Sequence, residues 1–317
     1  MALETKTLGR TGLKVTQLGY GALEVRGVSS EDPKARMPSE ARAKEILNAV
    51  LDSGINFIDT AWCYGRSEEM IGKFISHRRS DFTLAAKSGH GNCSSTKYGS
   101  YTRSDILACI EESLRNLKTD YVDLLQLHNP TGKDVEECEC IETLKDLQAR
   151  GWTRFIGCSS VIPHLDDHLK TGAYDAFQLP YSALEPEHYD IISKSAKSGV
   201  GTIIRGGVAK GEPGSVAINA QRMQNWKPSL GGSAGIKRWD MFTEANLGDL
   251  VDEGETRTSF LLRFTLSHPD VHTIIVGTQN PEHLTQNVVA AEKGPLPPDV
   301  YTEAKNRLRA VGLGHGQ

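Results

Sequence analysis

Two side chains that can exchange protons follow a short apolar run at residues 55–58. Asp59 ends the run, and Tyr64 stands five residues later, next to Gly65. A strand followed by a short loop and an amphipathic helix is one βα unit of a parallel sheet, and such sheets carry their chemistry at the strand C-termini. Because a free phenol has a pKa of about 10, Tyr64 could donate a proton at neutral pH only beside a cation that stabilises the phenolate.

The next two apolar runs each end in an ionisable residue. Lys87 follows the run at 82–86, and His128 follows the run at 121–127. We expect all these side chains at one rim of a parallel sheet, where Lys87 could stabilise the Tyr64 phenolate and Asp59 could hold Lys87. His128 could orient a carbonyl oxygen. This set can protonate an oxygen but cannot reduce carbon, so a hydride donor would have to be a cofactor.

An alternation of strand and helix patterns predicts the scaffold. The predicted strands are 15–21, 55–58, 82–86, 121–127, 154–158, 175–179, 201–204 and 272–276. The predicted helices are one from Ser39 to Gly54 and others at 67–77, 103–117, 134–150, 162–170, 186–198 and 256–267. Eight such units favour a (β/α)8 TIM barrel over an open sheet. A doubly wound nucleotide fold would require Gly-x-Gly-x-x-Gly after the first strand, and residues 19–24 lack the third glycine.

Three segments lie outside this alternation. Residues 7–15 read as a β-hairpin that could close the bottom of the barrel, and residues 299–311 as an additional C-terminal helix outside it. Residues 206–255 are rich in Gly, Ser, Asn, Pro and charge, which is typical of a lid or mobile loop. For the 317 residues we expect one barrel domain, 1–317, with insertions.

Composition limits the classes of partner. With 38% hydrophobic residues, 24% charged residues and a net charge of -4, the chain reads as a soluble globular protein that binds neither nucleic acid nor an anionic membrane. No signal core or stretch of 18 apolar residues is found. The six cysteines form no Cys-x-x-Cys pair, so we expect a cytoplasmic protein. Cys63, Cys93 and Cys158 are interpreted as packing residues, and Cys138 and Cys140 as part of a solvated helix. A metal-dependent hydrolase would need several His and Asp ligands at strand ends, where only His128 and Asp59 qualify; the oligomeric state stays open.

The motifs around these residues resemble those of the aldo-keto reductases. The chain reads Gly-Ile-Asn-Phe-Ile-Asp-Thr-Ala-Trp-Cys-Tyr-Gly at 54–65, Ala-Ala-Lys at 85–87 and Tyr-Val-Asp-Leu-Leu-Gln-Leu-His at 121–128, with further similarity at 154–160 and 275–284. The resemblance implies that NAD(P)H reduces an aldehyde or ketone to an alcohol. Tyr64 would be the general acid, Lys87 and Asp59 would tune it, and His128 would polarise the carbonyl. The alternative is a non-catalytic or regulatory nucleotide-binding barrel similar to potassium-channel β subunits. The presence of all four of these side chains argues against this alternative.

The same resemblance implies a dinucleotide site. Ser159 and Gln178 match positions that hold the nicotinamide carboxamide, with Ser160 where the family usually has asparagine. Arg205 takes the place of an aromatic side chain that stacks on the nicotinamide ring, as a guanidinium plane can also do. The remaining positions are Gly206 and Gly207 beside the pyrophosphate and Gly277, Thr278, His283, Gln286 and Asn287 at the adenosine end, where a helix begins. NADP is the implied cofactor; NAD is the alternative, because this stretch offers no permanent cation. The identity of the substrate is left open.

Overall fold

Eight parallel strands form a closed barrel in the part of the chain that the structure describes. This structure is a computed structural model, and it describes residues 2–27, 38–89, 100–209, 211 and 235–316, without the side chains of 235–238. The barrel strands run in chain order, and the last pairs with the first. They are Leu18–Gly21 (β3), Phe57–Asp59 (β4), Thr83–Ser88 (β5), Val122–His128 (β6), Thr153–Ser159 (β7), Ala176–Pro180 (β8), Gly201–Arg205 (β9) and Thr273–Val276 (β10). The predicted (β/α)8 barrel is confirmed.

Helices surround the barrel on its outer side. The described helices are Glu40–Asp52 (α1), Ser67–Phe74 (α2), Arg103–Leu117 (α3), Gly132–Glu137 (α4), Cys140–Ala149 (α5), His164–Lys170 (α6), Tyr189–Lys197 (α7), Gly235–Glu244 (α8), Arg257–Leu266 (α9), Pro281–Lys293 (α10) and Pro298–Ala310 (α11). The first shows how the sequence fixes such a helix: the Ser39 side chain caps its N-terminus by accepting from Arg42 N, and five apolar side chains from Ala43 to Leu51 are buried. The last is the predicted C-terminal helix.

The strand register brings polar side chains together at the C-terminal rim. Lys87 pairs with Gln126 across β5 and β6, His128 pairs with Ser159 across β6 and β7, and Ser159 pairs with Gln178 across β7 and β8. Most of the other strand residues are buried, and the majority of these are apolar, as expected for parallel strands covered on both faces. The rim is therefore a polar belt on an apolar barrel.

A β-hairpin closes the opposite end of the barrel. Its strands are Thr5–Thr7 (β1) and Lys14–Thr16 (β2), joined through a 3-10 turn at Gly9–Thr11. Leu8, Leu13 and Val15 pack against inward-facing residues of the barrel strands, among them Phe57 and Leu124. The predicted hairpin is confirmed, but the first barrel strand begins at Leu18 and not at residue 15, since residues 14–16 pair with the N-terminal segment.

Two further predictions need correction. The helix predicted at 134–150 is two helices, α4 and α5, because Glu139 takes a left-handed backbone conformation (φ 50°) between them. The predicted loop at 206–255 contains helix α8 and a 3-10 turn at Leu247–Leu250. Residues 210 and 212–234 of this segment lie outside the described residues, as do 28–37 and 90–99.

A buried carboxyl group lies where α2 packs against α3. The approach of these helices is close: a Cβ atom on Gly72 would lie 2.0 Å from the carbonyl oxygen of Asn116. Glu68, one turn earlier, is only 1% exposed, and neither of its carboxyl oxygens has a well-formed hydrogen bond among the described residues. Burial raises the pKa of Glu68 to about 7, although the side chains of Ser113 and Asn116 act in the opposite direction.

Because this carboxyl group is buried, we expect Glu68→Gln to increase stability in a pH-dependent way. The unfolded chain releases the Glu68 proton near the ordinary pKa of 4.5, whereas the folded protein keeps it until about pH 7, so the wild type loses stability as pH rises between these values. The neutral amide avoids this loss. We expect Glu68→Gln to raise the free energy of unfolding by about 2–3 kcal/mol at pH 8 and to change it little at pH 4.5, measured by urea unfolding. Glu111→Gln, on the exposed face of α3, is the control. A loss of stability in Glu68→Gln at pH 8 would contradict the assignment.

Candidate active site

The carboxylate of Asp59, at the end of β4, is the centre of a buried polar network. Its Oδ2 accepts a hydrogen bond of 2.5 Å from Lys87 Nζ. Its Oδ1 accepts from Gln178 Nε2 at 2.7 Å and from Gln126 Nε2 at 3.2 Å. Lys87 also donates to the carbonyl oxygen of Thr60 at 3.0 Å. These bonds satisfy a buried ion pair that would otherwise carry a large desolvation penalty.

The ammonium of Lys87 is fully buried beside the Asp59 carboxylate. Its side chain is 0% exposed, and this burial lowers the pKa of Lys87, while the Asp59 carboxylate raises it again and Arg205 lowers it further. The ammonium group is therefore poorly hydrated, and its charge interacts strongly with groups close to it. Such a cation is strongly attracted to any negative charge that forms beside it.

Tyr64 lies over this cation. Lys87 Nζ is 5.1 Å from the centre of the Tyr64 ring. The loop that carries Tyr64 is fixed by backbone hydrogen bonds, from Trp62 N to the Lys87 carbonyl (3.3 Å) and from Tyr64 N to the Ala61 carbonyl (2.9 Å). Gly65 is required at the next position, since its φ is 52° and a Cβ atom there would lie 2.9 Å from the carbonyl oxygen of Arg26.

His128 completes the group of four predicted side chains. Its ring lies edge-on to that of Tyr64, with centroids 5.9 Å apart and planes at 79°. The hydroxyl of Tyr101 donates to the His128 carbonyl at 2.8 Å, and Cys63 Sγ is 3.4 Å from His128 Nδ1. The structure thus brings Asp59, Tyr64, Lys87 and His128 together at one rim, as the strand ends predict.

Three residues of this region were missed by the sequence analysis. Gln126 carries a usable signal, since it interrupts an apolar strand two residues before His128 and so lies on the same side of it. Tyr101 gives no local signal, because it reaches His128 from two residues before α3, where its ring packs over Gly89. Cys63 was interpreted as a packing residue, but it contacts an ionisable ring.

The predicted nicotinamide positions belong to the same network. Ser159 Oγ donates to Gln178 Oε1 at 3.2 Å, which together with the bond to Asp59 fixes the Gln178 amide. Ser160 Oγ donates to the carbonyl oxygen of Pro130 at 3.3 Å, so its proton is already engaged within the protein. A role of Ser159 and Gln178 beside a nicotinamide stays a prediction, and for Ser160 the structure shows a competing bond.

Arg205 ends β9 on the same rim. The guanidinium is partly buried, and burial lowers the pKa of Arg205, whereas the nearby Tyr64, Glu185 and Asp59 raise it. Two glycines follow. Gly206 has a φ of 72°, and a Cβ atom on Gly207 would lie 2.5 Å from Ile274 Cγ2, so both positions favour glycine. The rim therefore holds a second cation and a stretch of bare backbone.

The start of α10 lies at this rim beside β3. Asn280 Oδ1 caps the helix by accepting from Glu282 N at 2.9 Å, and Tyr20 OH donates to the Thr278 carbonyl at 2.7 Å. A Cβ atom on Gly277 would lie 2.9 Å from the carbonyl oxygen of Gly21. Of the other predicted residues, Asn287 is buried, His283 is partly buried and Gln286 is exposed. A capped helix N-terminus next to the close backbones of Gly21 and Gly277 fits a phosphate-bearing dinucleotide.

Comparison with known proteins identifies the family. Residues 17–308 match the model of the Aldo/keto reductase family. The chain belongs to this family. It is 28% identical over 302 residues to L-galactose dehydrogenase of Arabidopsis thaliana, covering 91% of this chain and 88% of that protein. It is also 27% identical over 318 residues to a probable voltage-gated potassium channel subunit beta of the same plant, covering 93% of each.

A solved structure gives the same result. The holo form of an aldo-keto reductase from Bacillus halodurans superposes with a TM-score of 0.79 at 25% sequence identity, covering 96% of both chains. The family and its relatives support an oxidoreductase. Among the described residues, no helix is long and apolar enough to span a membrane, and no three His, Cys, Asp or Glu side chains gather as a metal site would require.

The buried ion pair predicts a large effect of Lys87→Met on stability. The substitution leaves the Asp59 carboxylate buried without a counter-ion, which we expect to lower the free energy of unfolding by about 3–5 kcal/mol in urea unfolding. Lys87→Met combined with Asp59→Asn removes the uncompensated charge and should recover part of the loss. Lys170→Met, in an exposed pair with Asp167, is the control and should change stability little. A Lys87→Met protein as stable as this control would contradict the description of the pair.

Proposed function

We propose that this protein reduces an aldehyde or ketone to an alcohol, with NAD(P)H as the hydride source and Tyr64 as the proton donor. One observation carries the proposal: the buried ammonium of Lys87, held by Asp59, lies 5.1 Å from the centre of the Tyr64 ring. A phenol next to a fixed, poorly hydrated cation can release its proton to a substrate oxygen, because the phenolate that remains is stabilised.

The neighbouring side chains give each step a physical basis. The carbonyl oxygen becomes more negative as the carbon is reduced, and preorganised donors stabilise that charge. His128, whose ring is edge-on to that of Tyr64, would donate a hydrogen bond to this oxygen. Tyr64 then transfers its proton to the oxygen, and Lys87 stabilises the phenolate with Arg205 as a second positive charge.

The cofactor would occupy the rim from β7 to α10. When bound, the reduced nicotinamide supplies the hydride that none of these side chains can supply. The residues that would hold it are Ser159, Ser160, Gln178, Arg205, Gly206, Gly207, Gly277, Thr278, His283, Gln286 and Asn287. Their fit rests on the bare backbone at Gly206 and Gly207 and on the capped N-terminus of α10.

Two further parts of the proposal have indirect support. The span of the family match, residues 17–308, supports one barrel domain. The described cysteines 63, 109, 138, 140 and 158 are all free thiols, which agrees with a cytoplasmic location. Similarity to potassium-channel β subunits keeps a regulatory role as the second candidate. We favour the enzyme, because a scaffold has no physical need for a phenol above a buried cation.

Tyr64→Phe tests the proton donor. Removing the hydroxyl leaves the ring and the cofactor residues in place, so we expect turnover to fall by at least about 100-fold while cofactor affinity changes only a few-fold. Turnover is measured as oxidation of NAD(P)H with a panel of small aldehydes, ketones and sugars. Tyr121→Phe removes a hydroxyl at the opposite end of β6, where the ring stacks on Arg79, and serves as the control. Unchanged turnover in Tyr64→Phe would contradict the assignment.

Charge at the adenosine end predicts the choice of cofactor. A 2′-phosphate needs a cation, yet residues 277–287 contain no lysine or arginine, Glu282 lies in the first turn of α10, and a Cβ atom on Gly277 would lie 3.0 Å from Glu24 Cγ. Although the family resemblance implies NADP, we expect NADH to bind at least as tightly as NADPH in a titration of intrinsic fluorescence.

A matched pair of variants sharpens this test. His283→Arg adds a cation near the start of α10 and should raise the affinity for NADPH relative to NADH by about fivefold, equivalent to about 1 kcal/mol from one charged hydrogen bond. Thr285→Arg adds the same charge at an exposed position of the same helix and should not shift the ratio. Tighter binding of NADPH to the wild type by tenfold or more would refute the charge argument.

A further inference from the structure

Cys63 occupies a defined position against the ring of His128. Its Sγ lies 3.4 Å from His128 Nδ1, within hydrogen-bond range for sulfur. The backbone on either side of Cys63 is held by hydrogen bonds. Trp62 N donates to the Lys87 carbonyl, and Tyr64 N donates to the Ala61 carbonyl. The contact is therefore a feature of the loop fold.

This contact bears on which nitrogen of His128 carries the proton. A neutral imidazole has one N–H donor and one acceptor nitrogen, and the partner of one nitrogen decides the state of the other. The thiol can act in either direction: Cys63 S–H donating to Nδ1 leaves the ring proton on Nε2, whereas Nδ1–H donating to Sγ gives the opposite tautomer.

We propose that Cys63 is a positioning residue that holds His128 in the neutral tautomer with its proton on Nε2. The inference rests on the proposed function, because it is the Nε2–H that would donate to the carbonyl oxygen. The backbone of His128 is fixed separately, because the Tyr101 hydroxyl donates to its carbonyl oxygen. The imidazole ring also packs edge-on against the Tyr64 ring. Cys63 adds a contact at Nδ1 of the ring, and this contact selects the tautomer.

The tautomer can be read directly from the 15N chemical shifts of the imidazole in protein with labelled histidine. His128→Gln identifies the His128 signals among those of the 10 histidines. In wild type without cofactor or substrate, we expect Nε2 to be protonated and Nδ1 to be an unprotonated acceptor. Cys63→Ser keeps a donor and should keep this pattern, whereas Cys63→Ala removes it and should give a mixture of tautomers.

Kinetics provide the second readout. We expect Cys63→Ala to lower kcat by about tenfold, because only the fraction of protein with the proton on Nε2 can donate to the carbonyl oxygen. Cofactor affinity and urea unfolding should not change. Cys63→Ser should restore kcat to within about threefold. Cys138→Ala, which removes another partly exposed thiol, is the control.

The outcomes separate this inference from the proposed function. A wild-type signal with the proton on Nδ1, or identical tautomers in wild type and Cys63→Ala, would overturn the inference whatever the activity. The expected tautomer shift in a protein that reduces no carbonyl compound would leave the positioning role intact and contradict the proposed function. If Cys63→Ala does not fold, wild type and Cys63→Ser decide, since a proton on Nδ1 in either would refute the proposal.

Discussion

The structure of the rim depends on how one buried carboxylate is satisfied. Asp59 accepts hydrogen bonds from Lys87, Gln126 and Gln178, which come from three other barrel strands. A charge pair removed from water is tolerated only when its remaining lone pairs find donors. The closed barrel supplies these donors, because parallel strands in fixed register bring β5, β6 and β8 to the same level as β4. The buried ion pair therefore depends on the closed barrel.

From this pair the arrangement of the other groups follows. The ammonium of Lys87 is fixed beneath the Tyr64 ring, and the loop carrying Tyr64 is tied to the carbonyl of the same lysine through Trp62 N. His128 is held from two directions, by Tyr101 at its backbone and by Cys63 at its ring. Each group lies on a strand or on a short hydrogen-bonded loop, so the proposed reaction would require little reorganisation of these groups.

The sequence predicts the barrel and the four central side chains because both leave local signals. An apolar run that ends in Asp59, Lys87 or His128 marks a strand and its rim residue together. Other features have no such signal. Residues 14–16 look like the start of a barrel strand until their pairing with Thr5–Thr7 is seen, and the break at Glu139 needs a left-handed residue that is not glycine. The contact of Cys63 depends on the conformation of a loop, which the alternation of strand and helix patterns does not predict. Gln126, in contrast, could have been found from its spacing to His128.

Direct titration of the Tyr64 phenol tests the central claim, that the buried lysine stabilises the phenolate. The 13C shift of the Tyr64 ring carbon bearing oxygen, assigned with Tyr64→Phe, gives the titration midpoint without any substrate. If the buried lysine stabilises the phenolate, the midpoint lies well below the value of about 10 for a free tyrosine and rises when Lys87 is replaced by methionine. A phenol that titrates at or above 10 in the wild type, or one indifferent to the loss of Lys87, would contradict this claim.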